Sequence, residues 1–216
     1  MSEIQIYNLF PVPVMRVKGF LSDAQIEPVV RQIGEGASVT NARSGQLSHT
    51  EVVDPQSDPA YAVLAAQAAD CLRNFGFLLF GENLEWAIKD MWANVLATDG
   101  HQSLHAHANS FISGVIYLTD IDASAHTVFH NSMGGRQFVF SNHHEGAAVT
   151  PYNGEQWMAS ECERGDMILF PSYLLHAVPR NEGQRRVSIA FNALPQRLKS
   201  WDYAIEFASS RDQSSS

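Results

Sequence analysis

LHAHANSFISGVIY, residues 104–117, sets two histidines one residue apart just ahead of an apolar run. Alternate residues of a strand share a face. Read as one strand continuing to residue 119, the segment puts His105, His107, Asn109, Phe111, Ser113, Val115, Tyr117 and Thr119 on one side. Ala106, Ala108, Ser110, Ile112, Gly114, Ile116 and Leu118 take the other. The first face carries polar and aromatic groups of the kind a pocket needs; the second is small and apolar, suited to packing. The two imidazoles then project together, close enough to hold one ion. Imidazole nitrogen suits Fe, Zn, Cu and Ni alike, so the pair does not choose the metal. A polar strand edge gives the same pattern, and the rest of the chain has to separate the two readings.

On either side, short strand-like segments continue: EWAIKDMWANVLA (85–97), HTVFH (126–130), RQFVFS (136–141), EQWMASE (155–161), DMILFP (166–171) and RRVSIAFN (185–192). Gly134-Gly135, Asn153-Gly154 and Glu182-Gly183 punctuate them. The first 80 residues differ. IQIYNLFPVPVMRVKGF reads as two short strands broken by Pro11 and Pro13. Ser22 and Gln25 form a capping-box pattern for a helix over 23–33, with Gly34 as its stop and Pro28 awkwardly inside. Asp58 and Pro59 start a second, Ala- and Leu-rich helix that Gly76 ends. Helices followed by a run of short strands predict a mainly β fold with flanking helices, a sandwich or jelly roll with the helices on one outer face. Residues 1–208 are expected to form one domain, with 1–80 packed on a β core of 84–194, and 209–216 a disordered tail. No internal repeat is present.

Across 216 residues the formal charge is -9, with 45% hydrophobic and 17% charged residues. That balance argues against a nucleic-acid or anionic-membrane partner. The two cysteines, Cys71 and Cys162, are far apart and in no ligand spacing. No disulfide framework is expected, and the cytoplasm is the expected compartment. The N-terminus has no basic leader ahead of an apolar stretch, and no segment is expected to span a membrane.

GDMILFPSYLLHAVPRNEGQRRVSIAFN, residues 165–192, carries the third histidine. MILF is a buried strand, His176 lies on a short strand after it, and PRNEGQ is a loop. If that loop closes a hairpin, Ser188 falls opposite His176 and Arg186 at a diagonal on the same face, about 7–8 Å away. The bland alternative has Arg186, Ser188 and Asn192 in water and Val187, Ile189 and Phe191 in the core.

HAHANSFISGVIYL, LFPSYLLHAV and RVSIAFN, together with the opening LFPVPV, resemble the Fe(II)/2-oxoglutarate-dependent dioxygenases. The likeness is to a little-characterised phage and bacterial branch with an H-x-H motif, and it covers residues 7–17 and 90–194. It implies a double-stranded β-helix, the cupin-like jelly roll, with Fe(II) and 2-oxoglutarate as cofactor and cosubstrate. Carried over, His105, His107 and His176 would bind the metal. Arg186 with Ser188 would take the distal carboxylate of 2-oxoglutarate, with Tyr117 as a further contact. No separate catalytic residue is implied.

Two features depart from the resemblance. Most of the superfamily has a carboxylate where His107 stands, so the site is one charge more positive; Asp99 or Asp166 is a candidate to complete it. The segment 120–138, DIDASAHTVFHNSMGGRQF, replaces a strand usual in that branch and is expected to line the substrate entrance. His49, His101, His126, His130, His143 and His144 are read as surface or rim residues, a second metal being the sharper alternative. Trp86, Trp92, Trp157 and Trp201 are read as core or packing residues, and Asn94 as a strand-end polar group, a place lining the pocket being the alternative. The rival functions are a three-histidine cupin-type metalloenzyme without 2-oxoglutarate, for which Arg186 has no use, and a non-catalytic binding module. The expected substrate is a small molecule or peptide, and oligomeric state is open, a homodimer included.

Overall fold

Residues 3–37, 39–131 and 144–209 are described here, from a computed structural model. Helix α1, Asp23–Gly36, starts as its capping box demands: the Gln25 side chain accepts from the Ser22 backbone N–H at 3.0 Å. It continues past Gly34, and Pro28 sits on its exposed side, where water can replace the missing backbone bond. Helix α2, Pro59–Phe80, is capped by the Asp58 carboxylate, which accepts from the amides of Ala60 and Tyr61 at 2.8 and 3.3 Å.

Gly76 does not end α2. A Cβ there would lie 2.3 Å from the indole nitrogen of Trp86, so this glycine serves close packing. The stop is Gly81, left-handed at φ 70°, a conformation that costs glycine little. By length and composition α2 is apolar enough to cross a membrane, contrary to the expectation that no segment would be. One of its faces (Tyr61, Leu64, Ala68, Leu72, Phe75) is buried in the protein core.

The strands, all paired antiparallel, are β1 (Met15–Val17), β2 (Val39–Thr40), β3 (Gly45–His49), β4 (Trp86–His105), β5 (Ile112–Tyr117), β6 (Val128–His130), β7 (Gln156–Met158), β8 (Met167–Pro171), β9 (His176–Val178) and β10 (Arg186–Pro195). β11 (Arg197–Ser200) and β12 (Tyr203–Glu206) form a separate hairpin. The larger sheet runs β1-β8-β5-β10-β4-β3-β2, and the smaller one β4-β9-β6-β7. β4 belongs to both: residues 86–96 pair with β10, and Gln102 and His105 pair with β9. It turns between them at Asp99, where φ is +65°.

The larger sheet alternates as a half-covered sheet must. Ile112, Ile116, Met167, Leu169, Val187, Ile189 and Phe191 face the helices in one continuous core. Burying such a side chain stabilises the fold by about 1.5–3 kcal/mol. The opposite face looks into the space between the sheets, where Val115, Tyr117, Ile168 and Phe170 meet Phe129 and Leu174.

Several expectations are corrected. Residues 105–119 are not one strand: β4 ends at His105, β5 begins at Ile112, and Asn109 between them has φ +53°. His176 and Arg186 do not share a hairpin, since β9 pairs with β4 and β6 while β10 pairs with β4 and β5. The prolines of LFPVPV leave only Met15–Val17 as a strand. The strand expected at 136–141 and the turn at Gly134-Gly135 lie outside the described residues, as does the tail from 210. Trp201 is 98% exposed and Trp157 is also exposed, so neither is a core residue.

Candidate metal centre

The end of β4, the turn after it and the start of β9 converge between the two sheets. His105 pairs directly with His176 across the β4–β9 ladder. His107 is brought in by its backbone N–H, which donates to the Ser172 carbonyl at 2.9 Å. The ring centres of His105, His107 and His176 lie 4.2–5.2 Å apart. One nitrogen from each falls within 4.8 Å of the others.

The partners of these rings fix their tautomers. Nδ1 of His105 donates to the Ser103 carbonyl at 2.8 Å, and Nδ1 of His176 to the Leu174 carbonyl at 2.9 Å. Nδ1 of His107 donates to Asn192 Oδ1 at 2.6 Å. Carbonyl oxygens only accept, so each Nδ1 carries the proton and each Nε2 keeps its lone pair. Burial, as the main cause, holds all three imidazoles below the ordinary histidine pKa. His176, only 4% exposed, is pushed down to about 3, its neighbours His105 and His107 adding to the effect. Three neutral imidazoles with converging lone pairs are a ligand set for a divalent transition metal.

No carboxylate joins this group among the described residues. Asp166 is engaged elsewhere, paired with Arg16 at 2.6 Å and accepting from the Gly19 amide at 2.8 Å. Asp99 is exposed and pairs with Arg180 at 2.7 Å. Neither completes the centre.

The inner face of the larger sheet forms ordered rows below the imidazoles. Asp90, Asn192 and Ser113 are register partners, then Trp92, Ala190 and Val115, then Asn94, Ser188 and Tyr117, and last Leu96 with Arg186. Arg186 is 3% exposed, and its Nη1 donates to Ser188 Oγ at 3.3 Å. Its guanidinium lies 5.3 Å from the centre of the Tyr117 ring. Nε and Nη2 are buried without a hydrogen-bond partner among the described residues. Burial depresses the pKa of this guanidinium, yet arginine keeps its charge. A buried cation with two unmet donors and, among the described residues, no paired carboxylate is costly, and a carboxylate would satisfy it. Tyr117 is fully buried, its hydroxyl 2.9 Å from Thr127 Oγ1, and burial pushes its pKa up.

Asn94 lies mid-strand, not at a strand end, and with His49, Trp92, Gln102, His105 and His107 lines a cavity of about 390 Å³. His126 is buried with no partner for Nδ1 among the described residues, and burial first, then the charge of nearby Arg186, lowers its imidazole pKa. His101 and His144 are exposed, and His143 lies outside the described residues. No second metal-binding group occurs among the described residues. Part of the segment expected at the entrance, 132–138, is likewise outside them.

Sequence reasoning assigned no role to Asn192, Ser113 or Asp90. The period of two from Arg186 through Ser188 and Ala190 was the available signal for Asn192. Asp90 becomes visible only through the β4–β10 register.

The larger part of this site lies within residues 90–192, which match a family model described as "Putative 2OG-Fe(II) oxygenase". No curated protein matches the chain. Solved structures give the fold. HygX from Streptomyces hygroscopicus, with nickel, 2-oxoglutarate and hygromycin B bound, is 14% identical with a TM-score of 0.61, covering 85% of this chain and 83% of that one. A Pseudomonas putida prolyl-4-hydroxylase is 15% identical with a TM-score of 0.57, covering 84% and 92%. The epimerase SnoN of nogalamycin biosynthesis is 12% identical with a TM-score of 0.60, covering 86% and 77%. The architecture is the jelly roll of these enzymes, one of the two folds the strand run allowed and the double-stranded β-helix that the resemblance implied. Residues 90–192, which hold the three imidazoles and the buried arginine, are thus the part of the chain that is similar to the 2OG-Fe(II) oxygenases.

Proposed function

We propose that the protein is an oxygenase that uses Fe(II) and 2-oxoglutarate to oxidise a small-molecule or peptide substrate, a hydroxylation of dioxygenase type. The observation that carries this reading is the buried guanidinium of Arg186, with no paired carboxylate among the described residues, on the same inner wall as three neutral imidazoles. A cupin-type metalloenzyme without an oxo-acid would leave that cation without purpose.

His105, His107 and His176 would hold the metal through Nε2. When bound, the metal and oxo-acid supply the oxidising chemistry: O2 is consumed, 2-oxoglutarate is decarboxylated to succinate, and the second oxygen atom goes to the substrate. The chain's own residues bind and orient. Arg186 offers its planar fork to the distal carboxylate, which a point charge would hold less directionally. Ser188 adds a hydroxyl at the same end, and the Tyr117 ring packs against the cation. Ala190, Val115 and Trp92 form the row between the arginine and the imidazoles, and a five-carbon diacid would lie along it. Phe170 and Phe129 back His176, at 4.8 and 6.1 Å between ring centres, and exclude water from that side. Substrate would enter by the cavity that Trp92, Asn94 and Gln102 line.

HygX has been crystallised with 2-oxoglutarate and nickel, and separately with iron, which supports the same pair here. We also read residues 1–208 as one domain, since α1, α2 and the larger sheet share a core. A cytoplasmic location accords with the free Cys71 and Cys162. The acidic balance favours a substrate other than nucleic acid.

An anaerobic titration with Fe(II) and then 2-oxoglutarate, followed by visible absorption, tests the reading. A weak charge-transfer band should need both additions and be lost in His176→Ala. Arg186→Ala should retain metal binding but weaken 2-oxoglutarate binding at least 100-fold, about the cost of stripping a charged hydrogen-bonded pair. Metal binding without the band would favour the cupin-type alternative, and unchanged affinity in Arg186→Ala would refute the role of Arg186.

A further inference from the structure

The three imidazoles form a neutral ligand set, so among the described residues no side chain in direct contact with the metal would offset its charge. One carboxylate does face the centre from a single residue behind. Asn192 Oδ1 accepts from His107 Nδ1 at 2.6 Å, while Asn192 Nδ2 donates to Asp90 Oδ1 at 2.8 Å. The direction of this relay is chemically fixed. A carboxylate only accepts, so the amide nitrogen must face Asp90 and the amide oxygen the imidazole. Ser113 Oγ, fully buried, donates to the same Asn192 oxygen at 2.8 Å and holds it in place.

We propose that Asp90 supplies the negative charge that the ligand set lacks, transmitted through Asn192 to His107, so that Asp90 and Asn192 are positioning residues for the metal. This rests on the metal centre of the proposed function. A carboxylate behind the amide polarises it, strengthening Oδ1 as an acceptor and making the His107 imidazole a better donor to a cation. Asp90 is mostly shielded, its side chain 16% exposed, so its field reaches the site with little screening by water. Lys89 pairs with the other carboxylate oxygen at 2.5 Å and partly cancels that field. The two neighbours therefore act on the metal with opposite signs. A purely structural hydrogen bond would not.

That opposition gives the test. Co(II) affinity of the whole protein is measured by visible absorption, and the Fe(III)/Fe(II) potential by redox titration, for wild type, Asp90→Asn and Lys89→Met. Asp90→Asn keeps an oxygen facing the Asn192 amide but removes the charge; it should weaken Co(II) binding about 10-fold, in the range for outer-shell partners of ligating histidines, and raise the potential. Lys89→Met should tighten binding about threefold and lower the potential, as expected when an opposing charge is removed near a partly buried site. Asp90→Asn with wild-type affinity and potential would overturn the relay, as would both variants shifting the same way, the mark of a folding defect. A wild-type protein that binds no Co(II) would refute the metal centre itself, and the relay with it.

Discussion

Ala190 is the smallest contributor to the wall between the imidazoles and Arg186, and its two register partners are Trp92 and Val115. Apart from glycine, no residue could place less bulk there. Ala190→Leu should fill the path of the oxo-acid and abolish the charge-transfer band while Co(II) binding stays within a few-fold of wild type. Retained 2-oxoglutarate affinity would mean that the diacid lies elsewhere. At this scale the sequence was informative where chemistry is rare. Three histidines and an arginine stand out in any chain, and the three histidines that the resemblance singled out do lie together in the structure. The reason first given for their meeting was wrong: they meet across β4, β9 and β10, not along one strand or one hairpin. Register between segments some 90 residues apart has no local trace. That is also why Asp90, an ordinary acid on an alternating strand, drew no attention.

At the scale of elements, helix ends were legible at their starts and not at their stops. Side-chain caps are local, so Ser22, Asp58 and Pro59 marked the N-termini of α1 and α2 correctly. A glycine within a helix has two readings, and only the neighbour decides between them. Gly76 lies under the Trp86 indole, so Gly76→Ala should not extend or strengthen α2 despite alanine's better helix propensity. Steric overlap should instead cost about 1–3 kcal/mol, seen as a lower thermal midpoint, because the large ring has to move. A midpoint at or above wild type would show that the indole yields freely. The hairpin of β11 and β12 went unread because β12 is exposed throughout and its pattern carries no buried face.

At the scale of the molecule, the strand run and its punctuation sufficed for a mainly β fold, since alternation and turn residues are local signals. The closing of two sheets around the site was not. Acid stability should report on that closed interior. In the metal-free protein the three imidazoles are held neutral in the folded state, while in the unfolded chain they take up protons near pH 6.5. Their contribution to stability is therefore complete above that pH and is lost as pH falls, for His176 down to about 3. For one such buried group the slope approaches about 1.4 kcal/mol per pH unit. Urea unfolding of the metal-free protein between pH 7.5 and 4 should show the decline, and His176→Phe should flatten it. A flat profile in the wild type would mean that the imidazoles protonate without unfolding the site.

The sharing of β4 between both sheets also bears on how the protein is made. Residues 86–96 of that strand have as register partners residues roughly a hundred positions further along, a separation that slows two-state folding. A ribosome adds about 5–20 residues per second, so the middle strand waits several seconds for β10 to emerge. During that interval His105 and His107 exist without His176 or Arg186, so the proposed centre lacks one of its three imidazoles and its buried cation. On the proposed function, the full ligand set comes together only after β9 and β10 have emerged.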